Sequence, residues 1–227
     1  MDTPDRPAAA GPNSNFELHW GKIKQIGLLF GLLLASSLFL GIIGRFNDSP
    51  WSEAIVSAID ALIVIAFASL HYRQILPLLG LPKMGGRLAL RLLAVAIGFA
   101  IAMTIYFALL QRLGVPMLRV SDNYRKAGWG LWAMLVLVSL TPAVVEELAF
   151  RGVIQSTLES IFDRRDAWII QAALFSVLHL SPIIFPSHFI MGLCFGYLRL
   201  RSKSLYPGII LHGSWNALVL FQELYWP

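Results

Sequence analysis

Two adjacent carboxylates and an arginine, Glu146, Glu147 and Arg151, stand inside an apolar segment running from Trp129 to Phe162. A carboxylate at membrane depth is costly, so it faces a bundle interior, carries a partner and marks a functional site. On a helix, Glu147 and Arg151 lie at i,i+4 with the acid on the N-terminal side, the orientation that favours pairing. Glu146 points about 100° away, toward a face with Ala143 and Ala149, where small side chains leave room for a helix or a substrate. Arg151 thus holds Glu147, and Glu146 is left for chemistry. A packing-only ion network is the competing reading. Two acids with one cation leave a surplus charge that packing does not need.

Three further groups lie downstream. In Phe175-Ser-Val-Leu-His179 the phenyl ring shares a face with the imidazole and limits its rotamers. A hydrogen-bonded packing histidine is the bland alternative. Gly208, His212 and Asn216 form one i,i+4 stripe, on which histidine and asparagine can send two donors to a single oxygen, as a tetrahedral oxyanion requires. An interhelical polar clamp would use the same stripe. His188, Gly192 and Gly196 form another, a small-xxx-small packing face that turns His188 inward in a supporting role.

Glu146, Glu147, His179, His212 and Asn216 together amount to a polar cavity built in a bilayer. A glutamate that activates water, with histidines to share protons and donate to an oxyanion, is equipment for hydrolysing an acyl or peptide bond. Glu146, His179 and His212 could instead ligate zinc, with water as fourth ligand. Asn216 beside His212 suits hydrogen-bond donation better than cation binding, and no His-Glu-x-x-His helix is present. No cofactor is therefore favoured, and zinc stands as the alternative. Cys194, the single cysteine, sits in an apolar span, so it forms no intrachain disulfide and is poorly placed as a nucleophile.

The elements that must position these residues are membrane helices. The chain has 227 residues, 57% hydrophobic and 14% charged, with mean hydropathy +0.67. A soluble domain of this length carries nearly twice that charge. The net charge of +5 and pI near 9.6 do not indicate nucleic acid, because the basic residues fall between apolar spans. The expected fold is all-α, a polytopic bundle of about seven transmembrane helices at roughly 25–43, 54–71, 88–110, 129–148, 167–180, 183–198 and 205–222. Residues 1–22 read as a disordered cytoplasmic N-terminus and 23–227 as one membrane-embedded domain, with the motif-bearing core at 129–222. The catalytic core falls in the C-terminal five spans, and the first two hold almost no buried polar chemistry. Loop lysines and arginines place the N-terminus in the cytoplasm of a cell (plasma) membrane, although the basic 112–126 loop dissents. With Arg151 at the cytoplasmic boundary, Glu146 would lie about 7 Å deep and His179 about 20 Å, a mismatch in depth.

The order Glu-Glu-x-x-x-Arg, Phe-x-x-x-His, His-x-x-x-Asn in a basic, multispan protein resembles the CPBP family. That family contains the type II CAAX prenyl endopeptidases and bacterial relatives linked to bacteriocin self-immunity. The motifs match at Glu146, Glu147 and Arg151, at Phe175 and His179, and at His212 and Asn216, with no position substituted. The resemblance implies an intramembrane protease in which Glu146 and His179 activate water, His212 and Asn216 form the oxyanion site, and Glu147 with Arg151 supports the first motif. Both metal-dependent and metal-free glutamate mechanisms have been argued for such proteins. The expected partners are a peptide or membrane-protein substrate, prenylated or not, and the lipid bilayer, with the site opening toward the cytoplasm. Two other classes compete: a non-catalytic immunity or partner-binding protein, and a proton-coupled transporter. Confinement of the chemistry to one part of the chain counts against transport, which calls for paired pseudo-symmetric halves.

Overall fold

Proline and glycine punctuate the apolar runs and decide where the helices start and stop. The computed structural model describes residues 12–44, 49–83, 85–116 and 119–225. Helix α1 is Pro12–Ile43 and α2 is Pro50–Leu70. Each opens on proline, whose missing N–H has no partner to lose at the first helical position. Ser49 caps α2 by accepting a 3.3 Å bond from the Trp51 amide. Helix α3, Gly86–Arg112, is closed by Gly114 at φ 70°, a left-handed conformation suited to glycine. Then come α4, Leu131–Leu158, α5, Arg164–Leu178, α6, Phe185–Ser202, and α7, Tyr206–Tyr225. Short turns at Tyr72–Ile75 and Leu76–Leu79 and a short helix at Ser121–Lys126 complete the order, with no strand among the described residues.

Helix α4 is irregular where the chemistry lies. Its backbone widens to π-helical turns at Leu135–Leu140 and again at Glu147–Ile154. Pro142 accounts for the first: it lacks an N–H and its ring crowds the carbonyl four residues back, so the preceding turn opens. Glu146 and Glu147 therefore stand at a junction from α to π geometry, a feature common at functional sites.

The closest helix pair is α5 with α6, and glycine makes it possible. A Cβ added at Gly192 would lie 2.7 Å from the Ala172 Cα, and one at Gly196 would lie 2.6 Å from Gln171 Nε2. Across this seam Gln171 donates to the Gly192 carbonyl at 2.8 Å, and Trp168 donates to the Leu193 carbonyl at 2.8 Å. The small-residue face expected on α6 is thus the α5 contact. Gly192→Ala is expected to destabilise the protein by roughly 1–3 kcal/mol through overpacking against backbone, read as a lower midpoint of thermal unfolding in detergent.

The loops gather at two ends. At the end that holds the start of α1, Ser204 Oγ donates to the Gly80 carbonyl at 2.7 Å and the Leu205 amide to the Leu78 carbonyl at 2.9 Å. The Arg199 guanidinium pairs there with Glu159 at 2.5 Å. At the opposite end Arg119 donates to the Glu223 carbonyl, and the Ser121 amide donates to Glu223 Oε2 at 2.8 Å.

Four helical stretches are long and apolar enough to cross a membrane: Glu17–Ile43, Pro50–Leu70, Gly86–Arg112 and Leu131–Leu158. The expected count of seven is not reached by that measure. Helix α5 has 15 residues, about 22 Å, short of the roughly 30 Å hydrocarbon core. Helices α6 and α7 owe their lower apolarity to polar residues, His188, His212 and Asn216 among them. Two boundaries also move. Residues 12–22, expected as disordered, belong to α1, because Pro12 opens the helix and Phe16-Glu-Leu-His-Trp continues it; residues 1–11 lie outside the described residues. The fourth span runs on to Leu158, ten residues past its expected end, and Arg151 is buried within it rather than set at a membrane boundary.

Candidate active site

The pairing expected from spacing is present. Arg151 Nη1 lies 2.9 Å from Glu147 Oε1, and neither side chain is exposed. Three aromatic rings enclose the guanidinium, whose Cζ lies 4.4 Å from the centroid of Phe175, 5.3 Å from that of Phe195 and 6.0 Å from that of Phe150. Cation–π attraction in such desolvated contacts adds to the ion pair. On the other side, α7 admits the carboxylate through Gly208, where an added Cβ would sit 2.5 Å from Glu147 Oε2. The glycine of the α7 stripe makes room for an acid.

His212, one turn further along α7, stands between the two glutamates. Its Nδ1 is 3.4 Å from Glu147 Oε1 and its Nε2 is 3.8 Å from Glu146 Oε2. The ring stacks on Phe195 at 5.1 Å, so its plane is fixed. Glu147 is thereby committed to Arg151 and His212. Glu146 differs: its side chain is 23% exposed, against 0% for Glu147. It lines two adjoining cavities of about 440 and 470 Å³, and His179 lines both with it.

His179 follows directly on Leu178, the last residue of α5, and Leu180 behind it takes a left-handed φ of 53°. Its Nδ1–H donates to the Phe175 carbonyl at 2.9 Å. A carbonyl only accepts, so the neutral ring carries its proton on Nδ1 and keeps a lone pair on Nε2. The His188 ring lies 3.9 Å from that of His179, and its own Nδ1 donates to the Ile184 carbonyl at 3.0 Å. Phe175 is the hub of the cluster, with ring centroids 5.1 Å from His179, 6.0 Å from His188 and 6.0 Å from His212. Glu146, Glu147, Arg151, Phe175, His179, His188 and His212 are all brought into one neighbourhood. Neither His212 nor Asn216 is among the residues lining either cavity: His212 is buried, and Asn216 is half-buried on α7, one turn beyond it.

The depth mismatch disappears in three dimensions. Glu146 is the sixteenth of 28 residues in α4, mid-helix, because the apolar continuation through Leu158 carries it inward. His179 terminates a short α5 that reaches the same level. A second expectation needs correcting. The cavity near His179 is also walled by Gly41 and Gly44 at the end of α1 and by Ser49 and Ser52 at the start of α2. It lies toward the end of the bundle opposite the start of α1, so a cytoplasmic N-terminus and a cytoplasmic opening exclude one another.

The first two helices are not chemically empty either. Glu53, Ser57 and Asp60 of α2 line the larger cavity together with Tyr124. Their i, i+4, i+7 spacing was the available signal, hidden because the three residues are scattered in an apolar run. Burial first, and then the hydrogen-bonded Glu53 carboxylate, push the Tyr124 phenol upward, so it stays a protonated donor.

An open catalytic zinc site needs three protein donors converging at about 2 Å from one point. Among the described residues no three His, Cys, Asp or Glu side chains are grouped in that way. Glu146 and His212 face each other across 3.8 Å, while His179 is turned to Phe175 and His188.

Residues 128–218 match the profile of a family described as Type II CAAX prenyl endopeptidase Rce1-like. The matched segment spans every residue of the three motifs and supports the resemblance to the CPBP family; the first 127 residues lie outside it. No curated protein and no solved structure matches the chain.

Proposed function

Proceeding from an Rce1-like domain at residues 128–218, we propose that the chain is an intramembrane endopeptidase that works through a glutamate-activated water. Glu146 takes a proton from a water in the cavity, with the Nε2 lone pair of His179 available to share it. The hydroxide attacks the scissile carbonyl, and the tetrahedral oxyanion receives hydrogen bonds from His212 and Asn216. Collapse breaks the C–N bond, and the proton held by Glu146 or His179 passes to the departing amine. One peptide and one water thus give one carboxylate-ended and one amine-ended product. Glu147 and Arg151 hold the helix that carries Glu146.

One observation carries this reading. Of the two adjacent glutamates, the one left out of the buried Arg151 pair lines a cavity that His179 also lines. The substrate is a peptide or a membrane-protein segment, and the apolar walls at Leu33, Val56, Leu137 and Val138 suit an apolar or prenylated chain. We read the chain as a plasma-membrane protein, and loop charge argues for an N-terminus in the cytoplasm, which puts the cavity mouth on the far side.

The test is peptide cleavage by purified protein in lipid nanodiscs, with prenylated and unprenylated peptides, products identified by mass. Cleavage should proceed unchanged after exhaustive chelation. One zinc per chain, lost together with activity and restored on adding it back, would overturn the metal-free route.

A further inference from the structure

Asp60 is the eleventh of 21 residues in α2 and lies on that helix's inward face, between Val56 and Val64, both buried. Its Oδ1 accepts a 2.6 Å hydrogen bond from Ser36 Oγ of α1. Among the described residues no Lys, Arg or His forms an ion pair with it, and the lining of the cavity it faces contains neither Lys nor Arg. A carboxylate in the middle of an apolar helix is costly, and one neutral hydroxyl on one of its oxygens offsets only part of that. The same cavity, about 470 Å³ and of the size that ligand sites have, also contains Glu146 and His179. Glu53, hydrogen-bonded to Tyr124, is a further acid of its lining, and the remaining walls are apolar or hydroxyl-bearing. No cation of the cavity lining supplies the missing counter-charge, whereas a molecule entering the cavity would bring one beside the reacting groups.

We propose that Asp60 is a specificity-determining residue that receives a basic side chain, lysine or arginine, of the peptide being cleaved. The assignment rests on the endopeptidase reading above. It places the basic residue within roughly three positions of the scissile bond, given about 3.3–3.6 Å of extended chain per residue and a cavity of this size. Asp60 touches the substrate but takes no part in bond breaking. Because α2 lies outside the matched segment 128–218, this recognition would belong to this chain's own N-terminal helices.

The test uses the full chain in nanodiscs and twin peptides that differ only in lysine against its uncharged isostere norleucine near the cleaved bond. Wild type should favour the lysine peptide in kcat/KM by about 10- to 100-fold, the range of a hydrogen bond to a charged group. Asp60→Asn should bring that ratio to about one through loss of the lysine advantage. Asp60→Glu, which moves the charge by one methylene, should keep the preference, and so should Ser36→Ala. No lysine preference in wild type overturns the proposal. So does an Asp60→Asn variant that slows both peptides alike with a lowered unfolding midpoint, the behaviour of a packing clamp between α1 and α2. Binding of the same labelled peptides, followed by fluorescence anisotropy, separates the two readings. If neither peptide is cleaved the endopeptidase reading fails, while a lysine preference in binding that disappears in Asp60→Asn still upholds the Asp60 site, and its absence removes it.

Discussion

Glu146→Gln is expected to lower kcat/KM by about 10²- to 10⁴-fold with the fold intact, the loss typical for removing a general base. The amide keeps the volume and one acceptor of the acid but cannot take a proton from water. Glu146 makes no close ion pair with Lys or Arg: the His212 ring lies 3.8 Å away, and its side chain is 23% exposed. The substitution therefore strands no buried counter-charge at contact distance. Matched unfolding midpoints with a collapsed cleavage rate would support the assignment. Wild-type cleavage by purified Glu146→Gln would remove Glu146 from the chemistry and, with it, the division of labour between the two acids.

Glu147→Gln has the opposite signature. Its partner Arg151 is fully buried, enclosed by Phe150, Phe175 and Phe195, and tied to Glu147 at 2.9 Å. Removing the negative charge leaves a cation without compensation in a low-dielectric interior, which costs about 3–5 kcal/mol when one member of a buried pair is lost. His212 loses its 3.4 Å neighbour in the same step. The expected outcome is poor yield and a clearly lowered unfolding midpoint, measured by thermal denaturation in detergent. Arg151→Met should be less damaging than Arg151→Ala, since a long apolar side chain still fills the space between the rings. A Glu147→Gln protein as stable as wild type would show that Arg151 takes its compensation from elsewhere, with Glu146 the first candidate.

The two expectations separate roles that identical chemistry would otherwise confuse. Both residues are glutamates, adjacent in sequence and on one helix. What divides them is the α-to-π junction at Glu146 and Glu147, Gly208 opposite one, and an open cavity opposite the other.

Much of this was determined by the sequence alone. Long apolar runs broken by proline and glycine dictate helices, and a low charge content dictates a membrane setting, because both depend only on residue type and local spacing. The Glu147–Arg151 pair, the Phe175–His179 contact and the Gly192 and Gly196 seam are i,i+4 relations, which a helix turns into contacts whatever its neighbours do. Other facts depended on which helices meet. His212 between two glutamates joins residues 65 and 66 positions apart, and His188 against His179 requires that α5 and α6 pack as tightly as Gly192 permits. The depth of Glu146 followed from the full length of α4, a boundary that Arg151 obscured because a buried arginine and a loop arginine look alike in sequence. Asp60 was the least legible. Its i, i+4, i+7 relation to Ser57 and Glu53 is a faint signal scattered in an apolar run, and only the packing of α2 against the cavity turned it toward Glu146 and His179.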